Sequence, residues 1–319
     1  MALSFALYAP WMEDQVITMF CEEYGNQPQQ FRDYYKAFYA TYQANKAKRF
    51  VILDNQTVAG FVSFSYWPYK IDQQPVQSYQ CGNVIINKNY RGKGLYNQLL
   101  NYVNEHAHEH GMDFIIGFPI KEILKLYLKS NWKNPMNLNW YVSVLNPLGK
   151  AFPVSETSLN KRFLTEKKQP SSKNSGRITL DVTPAFYAWN KAYNNLSQHF
   201  YFCVDNGTTF VEFGLKLNKR KYLNELVIGE INTNTTDPSI LNNALGKLKA
   251  KCRWIPGISM LSCCLNDQQI NATLIALQKK GFKKINRDIK FIVNPLNYSP
   301  ELICDPSAWE LYRRDIDTW

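Results

Sequence analysis

Between Asn83 and Leu100 the chain reads Asn-Val-Ile-Ile-Asn-Lys-Asn-Tyr-Arg-Gly-Lys-Gly-Leu-Tyr-Asn-Gln-Leu-Leu, and here its chemistry is densest. Val84, Ile85 and Ile86 make an apolar strand. Lys88, Arg91, Gly92, Lys93 and Gly94 make a basic turn, and Leu99, Leu100, Val103 and Ala107 recur at helical spacing. Two glycines let a backbone come close to a ligand and turn its N–H groups inward. A helix that opens at Gly94 or Leu95 adds unpaired N–H groups and the positive end of its dipole. Together these make an anion site, and pyrophosphate is the anion that suits it best. The dinucleotide fingerprint needs a third glycine and a later acidic residue, and a Walker loop needs Gly-Lys-Ser/Thr after a longer gap. This turn has neither pattern.

Arg91-Gly92-Lys93-Gly94-Leu95-Tyr96 resembles motif A of the GNAT superfamily of acetyl-CoA-dependent N-acetyltransferases, where a strand precedes Arg/Gln-x-x-Gly-x-Gly/Ala. Tyr96 departs from the small residue of that pattern. The resemblance implies that Ile85 and Ile86 lend backbone groups to the pantetheine arm. It implies too that Arg91, Gly92, Lys93, Gly94, Leu95 and Tyr96 cradle the pyrophosphate of acetyl-CoA. A second group, Tyr127-Leu-Lys129-Ser-Asn131-Trp132, is similar to the Tyr-x-Lys-x-Gly-Phe of GNAT members. Asn131 replaces the glycine and is the next-best residue for a left-handed helix end. By the same resemblance Tyr127 is the general acid that protonates, or hydrogen-bonds to, the departing thiolate. The general base stays unassigned. Tyr79, Gln80 and Cys81 offer no carboxylate where the family often has one, and Glu22 and Glu23 are the substitutes at hand.

The elements that must position these groups follow from periodicity. A strand at Ser4–Tyr8 precedes helices over about 11–24 and 30–44, split by Asn26-Gln-Pro. A hairpin follows over 50–53 and 58–66, turning at Asp54-Asn55-Gln56. After the motif A strand and helix come a strand at 114–118, a helix at 121–129 and a strand at 140–144. This is the element order of a GNAT domain, so the resemblance covers residues 1–148. Residues 149–184, with Pro153, Pro170 and the run Lys167–Gly176, read as a linker or a long exposed loop. From 185 to 319 the pattern resumes: helix, three strands, helix, strand, helix, strand. Leu277-Gln-Lys279-Lys-Gly281-Phe282 stands where the tyrosine motif belongs, with Leu277 for the tyrosine. Asn-Thr-Asn-Thr-Thr-Asp-Pro after Ile231 lacks the arginine and the glycine pair. The expected fold is α/β (α+β): two tandem GNAT-like domains, the second degenerate, each a mixed, mostly antiparallel twisted sheet flanked by helices. The aromatic tail, Trp309 to Trp319, is expected to dock against a domain.

Composition narrows the class. At 319 residues, two domains are expected, and 45% hydrophobic and 14% aromatic content supplies their cores. A formal charge of +11, from 37 basic and 26 acidic residues, favours anionic partners. The cations are scattered as Lys-Lys pairs with no nucleic-acid module, so no nucleic-acid partner is expected. Seven cysteines at irregular spacing, with no Cys-x-x-Cys, indicate neither disulfides nor zinc. His106, His108 and His110 make no His-Glu-x-x-His motif, and no metal is expected. No run approaches 18 apolar residues, and no signal peptide is legible. A cytoplasmic protein without a membrane partner is expected.

The expected activity is acetyl transfer from acetyl-CoA to the amine of a small molecule or amino sugar by direct attack, with the C-terminal half shaping the acceptor cleft or a homodimer interface. No cysteine has the His partner of an acyl-enzyme nucleophile. Two alternatives stay open: an aminoacyl transferase of the Fem type, which also pairs two GNAT-like domains, and a non-catalytic acyl-CoA-binding protein.

Overall fold

The computed structural model describes residues 3–168, 177–193, 198–268 and 272–316. In chain order the first elements are β1 (Leu3–Leu7), α1 (Glu13–Tyr24), α2 (Pro28–Tyr39), β2 (Lys48–Asp54), β3 (Thr57–Tyr66), β4 (Tyr69–Ile71), β5 (Gln74–Pro75) and β6 (Ser78–Ile86). Next come α3 (Leu95–His106), β7 (Phe114–Gly117), α4 (Lys121–Lys129), β8 (Lys133–Val144), α5 (Glu156–Asn160), β9 (Ile178–Leu180) and α6 (Pro184–Tyr193). The remainder are β10 (His199–Asp205), β11 (Phe210–Lys219), β12 (Asn224–Thr233), α7 (Pro238–Arg253), β13 (Met260–Asn266), α8 (Ala272–Lys279), β14 (Lys283–Asn294) and α9 (Pro300–Ile303). The fold is mixed α/β, and most helices and strands overlap the segments expected from apolar periodicity, while α5 and β9 lie in the stretch expected as a linker and α2 ends at Tyr39, short of 44. Most of the run expected as an exposed loop, residues 169–176, lies outside the described residues, as does the end of the tail, 317–319.

The chain divides into two compact units. The first comprises Met1–Pro135, Leu180–Tyr193 and Lys290–Asp305, and the second Met136–Thr179, Asn194–Ile289 and Pro306–Trp319. In the first unit β1, β2, β3 and β6 are antiparallel neighbours. The crossover through α3 brings β7 parallel to β6, and Ile292–Asn294 of β14 run antiparallel to β7. In the second unit β10, β11 and β12 are antiparallel, α7 brings β13 parallel to β12, and β8 runs antiparallel to β13. The two sheets thus repeat one order of strand directions.

Three sequence-based expectations are corrected. The strand at Trp140–Val144, expected to close the first sheet, pairs with β13, and the first sheet is closed by β14 from near the C-terminus. Strand exchange is a long-range choice, invisible to local periodicity, because β8 and β14 follow similar helix ends and are each 12 residues long. The 149–184 segment is no exposed linker throughout: Val154, Leu159 and Phe163 are buried in the core of the second unit. Finally α6, assigned by sequence to the second half, belongs to the first. Trp189 Nε1 donates to the carbonyl of Phe38 on α2 at 2.8 Å, and the two rings meet edge-on at 5.1 Å. The boundaries drawn at 148 and 184 accordingly fall inside units.

The core that positions the site lies on one face of the first sheet. Phe50, Ile52, Val62, Phe64 and Ile115 from the strands pack on Leu99, Leu100 and Val103 of α3 and on Tyr127 and Trp132. Each such side chain contributes about 1.5–3 kcal/mol by leaving water, which seats α3 and fixes where its N-terminus points.

Candidate functional site

The basic turn begins where β6 ends. Asn87 Oδ1 accepts the N–H of Asn89 at 3.1 Å and closes one 3₁₀ turn over Lys88–Tyr90. Arg91 is extended, and Gly92 and Gly94 follow at φ +79° and +71°, a conformation that side chains with a Cβ resist. A Cβ on Gly92 would meet nothing within 4 Å, and one on Gly94 only Gln98 Nε2 at 4.0 Å, so the space above the turn is open. Gly94 is the N-cap of α3, and the N–H groups of Leu95, Tyr96 and Asn97 have no preceding intrahelical carbonyl. This cradle suits an anion of pyrophosphate size.

Side chains around the turn are held from outside. Arg91 Nε donates to the carbonyl of Ile86 at 3.0 Å, and its guanidinium pairs with Glu23 at 2.7 Å. Lys88 Nζ donates to the carbonyl of Glu22 at 2.9 Å, and Tyr90 Oη donates to Asp54 at 2.9 Å. The Arg91 hydrogen bond holds the Glu23 carboxyl below the usual carboxylate range. Glu23 is therefore a charge partner of the basic turn and a weak base.

β6 and β7 are paired only over Ser78–Gln80 and Phe114–Ile116, and beyond that point they part. Ile85 and Ile86 pair with Phe61 and Gly60 of β3 on their other edge. The register of β3 on β6 shifts between Phe61 and Ser63, and Asn83, at φ +48°, sits in the resulting bulge. The bulge bends β6 at the point where it leaves β7, so backbone groups of the open edge face the gap. The signal was present in the sequence, as Gly82-Asn83 interrupting an apolar strand.

Tyr127 lies on the last turn of α4. Trp132 N donates to the carbonyl of Tyr127 at 3.3 Å across Asn131 at φ +67°, a Schellman end that packs Trp132 edge-on against Tyr127 at 4.9 Å. Tyr127 Oη is 3.3 Å from Cys81 Sγ on β6. Burial, then the neighbouring Cys81 and Tyr96, push its pKa well above that of an ordinary tyrosine, so it keeps its proton at neutral pH. Asn97 on α3 donates to the Leu126 carbonyl at 2.7 Å and to Ser130 Oγ at 2.8 Å, and Asn104 donates to the Ser130 carbonyl at 3.0 Å. The helix whose N-terminus forms the cradle thus also holds the end of α4 that carries Tyr127.

Residues 13–118 match the Acetyltransferase (GNAT) family. This stretch is similar to the GNAT acetyltransferases. The matched span contains α1 to β7, with the bulge, the glycine turn and α3, and stops short of Tyr127. No curated protein matches the chain. Among solved structures, a GCN5-related N-acetyltransferase from Anabaena variabilis is 14% identical, with a TM-score of 0.63 over 93% of this chain and 73% of that one. A conserved Enterococcus faecalis protein of unknown function gives 9% identity and 0.61, over 95% and 75%. The N-myristoyltransferase of Saccharomyces cerevisiae gives 12% and 0.50, over 94% and 80%. These likenesses are of fold. What the family match covers is the stretch 13–118, about a third of the chain, and the acyl donor of that family is an acyl-CoA.

The cradle of the first unit has room for such a donor. The cradle is open above both glycines, and beside it the ring of Tyr96 lies edge-on to Tyr127 at 5.6 Å between centroids, with its hydroxyl buried. On the opposite face of the sheet a second network went unseen in the sequence. Arg49 donates to Tyr35 Oη at 3.0 Å and lies over the rings of Tyr8 and Tyr39, at 4.0 and 4.8 Å. Tyr39 Oη donates to Ser63 Oγ at 2.6 Å and accepts from Asn83 at 3.0 Å, which ties α2 to the bulge. Its hydrogen bonds span 14 to 44 residues, so no local pattern signals them. Among the described residues no group of three or more His, Cys, Asp or Glu could hold a metal ion.

The second unit has the scaffold without the cradle. At the start of α7 the Asp237 carboxylate accepts the Ser239 N–H at 2.7 Å, placing a negative charge where α3 leaves open N–H groups. β12 pairs with β13 only over Glu225–Ile228, and just beyond it Glu230 is ion-paired with Lys167 and Arg314. Phe282 N donates to Leu277 O at 3.0 Å across Gly281 at φ +75°, the same helix end with leucine in the tyrosine's place.

Proposed function

We propose that the first unit transfers an acetyl group from acetyl-CoA to the amine of a small molecule or amino sugar. One observation carries this reading: α3 both opens the anion cradle behind Gly92 and Gly94 and, through Asn97, fixes the end of α4 that holds Tyr127. The donor supplies an activated acyl carbon on sulfur. The N–H groups of Gly92 to Tyr96 bind its pyrophosphate, and the bulged edge of β6 near Ile85 and Ile86 binds its arm. The neutral amine forms the new C–N bond as the C–S bond breaks. The amine proton leaves to solvent, and Tyr127 stabilises the departing sulfur by hydrogen bonding or gives it a proton that solvent replaces. With Glu23 committed to Arg91, the acceptor reaches the site as the free base, in the fraction that pH allows.

The test is thiol release from acetyl-CoA, and from longer acyl-CoAs, against a panel of amines and amino sugars. Acceptor-dependent release with a mass gain of one acetyl group on the amine supports the proposal. Donor binding without turnover by any amine would leave an acyl-CoA-binding protein in its place.

A further inference from the structure

Three turns of the second unit make one surface with an unusual make-up. Trp254 is 79% exposed, Tyr222 77% and Leu148 71%, and Val144 and Phe152 are exposed beside them in the chain. Hydrogen bonds join the turns. Leu145 N and Asn146 N donate to the Ser259 carbonyl, Asn146 Nδ2 donates to Pro256 O at 2.8 Å, and Asn224 Nδ2 donates to Gly257 O at 2.9 Å. Lys150 Nζ donates to Arg220 O at 2.8 Å. The exposed apolar side chains are therefore carried by a rigid, interlocked end of the unit.

The charge of that end is one-sided. Residues 144–155, 218–224 and 250–259 contain Lys150, Lys219, Arg220, Lys221, Lys251 and Arg253 and no aspartate or glutamate. Just beyond these segments, Glu225 is buried and pairs with Arg220, and Glu156, half-buried, opens α5. We propose that this end of the second unit docks on an anionic phospholipid surface. Tryptophan and tyrosine favour the headgroup level, exposed leucine and valine gain by entering the acyl boundary, and each nearby Lys or Arg gains from anionic headgroups. A second copy of the chain fits poorly, because like charges would meet. A single-stranded nucleic acid would use the cations and the rings, and it leaves Leu148 and Val144 without a role. No helix among the described residues is long and apolar enough to cross a membrane, so the attachment is peripheral.

The test is co-sedimentation of the full chain with phosphatidylcholine vesicles, with and without phosphatidylserine, at low and high salt. The proposal predicts binding that needs phosphatidylserine and weakens with salt. It predicts that Trp254→Ser with Leu148→Ser lowers the partition about tenfold or more, and that Lys221→Glu lowers it at low salt. All three substitutions are at surface turns, and thermal unfolding at the wild-type temperature verifies the fold. Absence of vesicle binding, binding unchanged in the double variant, single-stranded RNA bound in its place, or self-association through Trp254 without vesicle binding would each overturn it.

Discussion

The hydroxyl of Tyr127 lies 3.3 Å from the sulfur of Cys81, on the strand that runs on through the bulge into the glycine turn. Its raised pKa leaves it a neutral phenol, able to donate to a sulfur that is gaining charge. Tyr127→Phe should lower kcat about 100-fold, within the range for general acids, with little change in the acetyl-CoA Kd. The group stays protonated well into the alkaline range, so the wild-type rate should climb with pH as the acceptor amine deprotonates. An alkaline fall below pH 10 that disappears in Tyr127→Phe would contradict the assignment.

Arg91 and Glu23 make the second prediction, because a pyrophosphate in the cradle competes with Glu23 for the guanidinium. Arg91→Ala should weaken acetyl-CoA binding about tenfold, the worth of a charge-assisted hydrogen bond. Glu23→Ala should tighten it about threefold, since only an exposed pair is lost and a like charge leaves the site. Calorimetry at low and high salt checks both, and the difference between the variants should shrink as salt screens it.

Much of this site was legible because it is local. The glycine turn, the apolar strand before it and the amphipathic helix after it are contiguous, as are Tyr127, Asn131 and Trp132. What could not be read is long-range. Arg91 meets Glu23 across 68 residues, and Arg49 gathers tyrosines from β1's exit and from α2. The exchange of β8 and β14 pits two similar strands against each other, and only tertiary packing decides between them. The bulge at Asn83 is intermediate: Gly82-Asn83 announced an irregularity, but its place opposite Phe61 and Ser63 depended on the register of a strand some 20 residues away.

The ion-paired Glu230 of β12 has a stability signature. Burial alone would raise the Glu230 carboxyl, but Arg314 and Lys167 outweigh it and bring it down to about 2. Its contribution is therefore fully present above the unfolded value near 4.5 and is lost as pH falls toward 2. Glu230→Gln removes the carboxylate that both buried cations share and should cost about 3–5 kcal/mol at neutral pH. Urea unfolding should show that loss shrinking between pH 4.5 and 2.

The left-handed residue at the end of α4 can be probed directly. Asn131→Gly should be neutral or stabilising by a few tenths of a kcal/mol, and Asn131→Ala should cost about 1 kcal/mol, because a Cβ is strained at φ +67°. Urea denaturation measures both. Because Trp132 and Tyr127 are held by that turn, Asn131→Ala should also lower kcat while leaving donor affinity unchanged.

Calorimetric titration of the whole chain with acetyl-CoA, beside Gly94→Trp, tests the central claim most directly. Gly94 borders open space and gives the cradle its shape, so the substitution fills the anion site with an indole. The wild type should bind one acetyl-CoA per chain with micromolar Kd, because the described residues form one such cradle, and the variant, strained by about 1–2 kcal/mol at φ +71°, should remain folded and give no binding heat. Two sites per chain, undiminished binding by Gly94→Trp, or no binding by the wild type would contradict the assignment of the glycine turn as the acyl-CoA site.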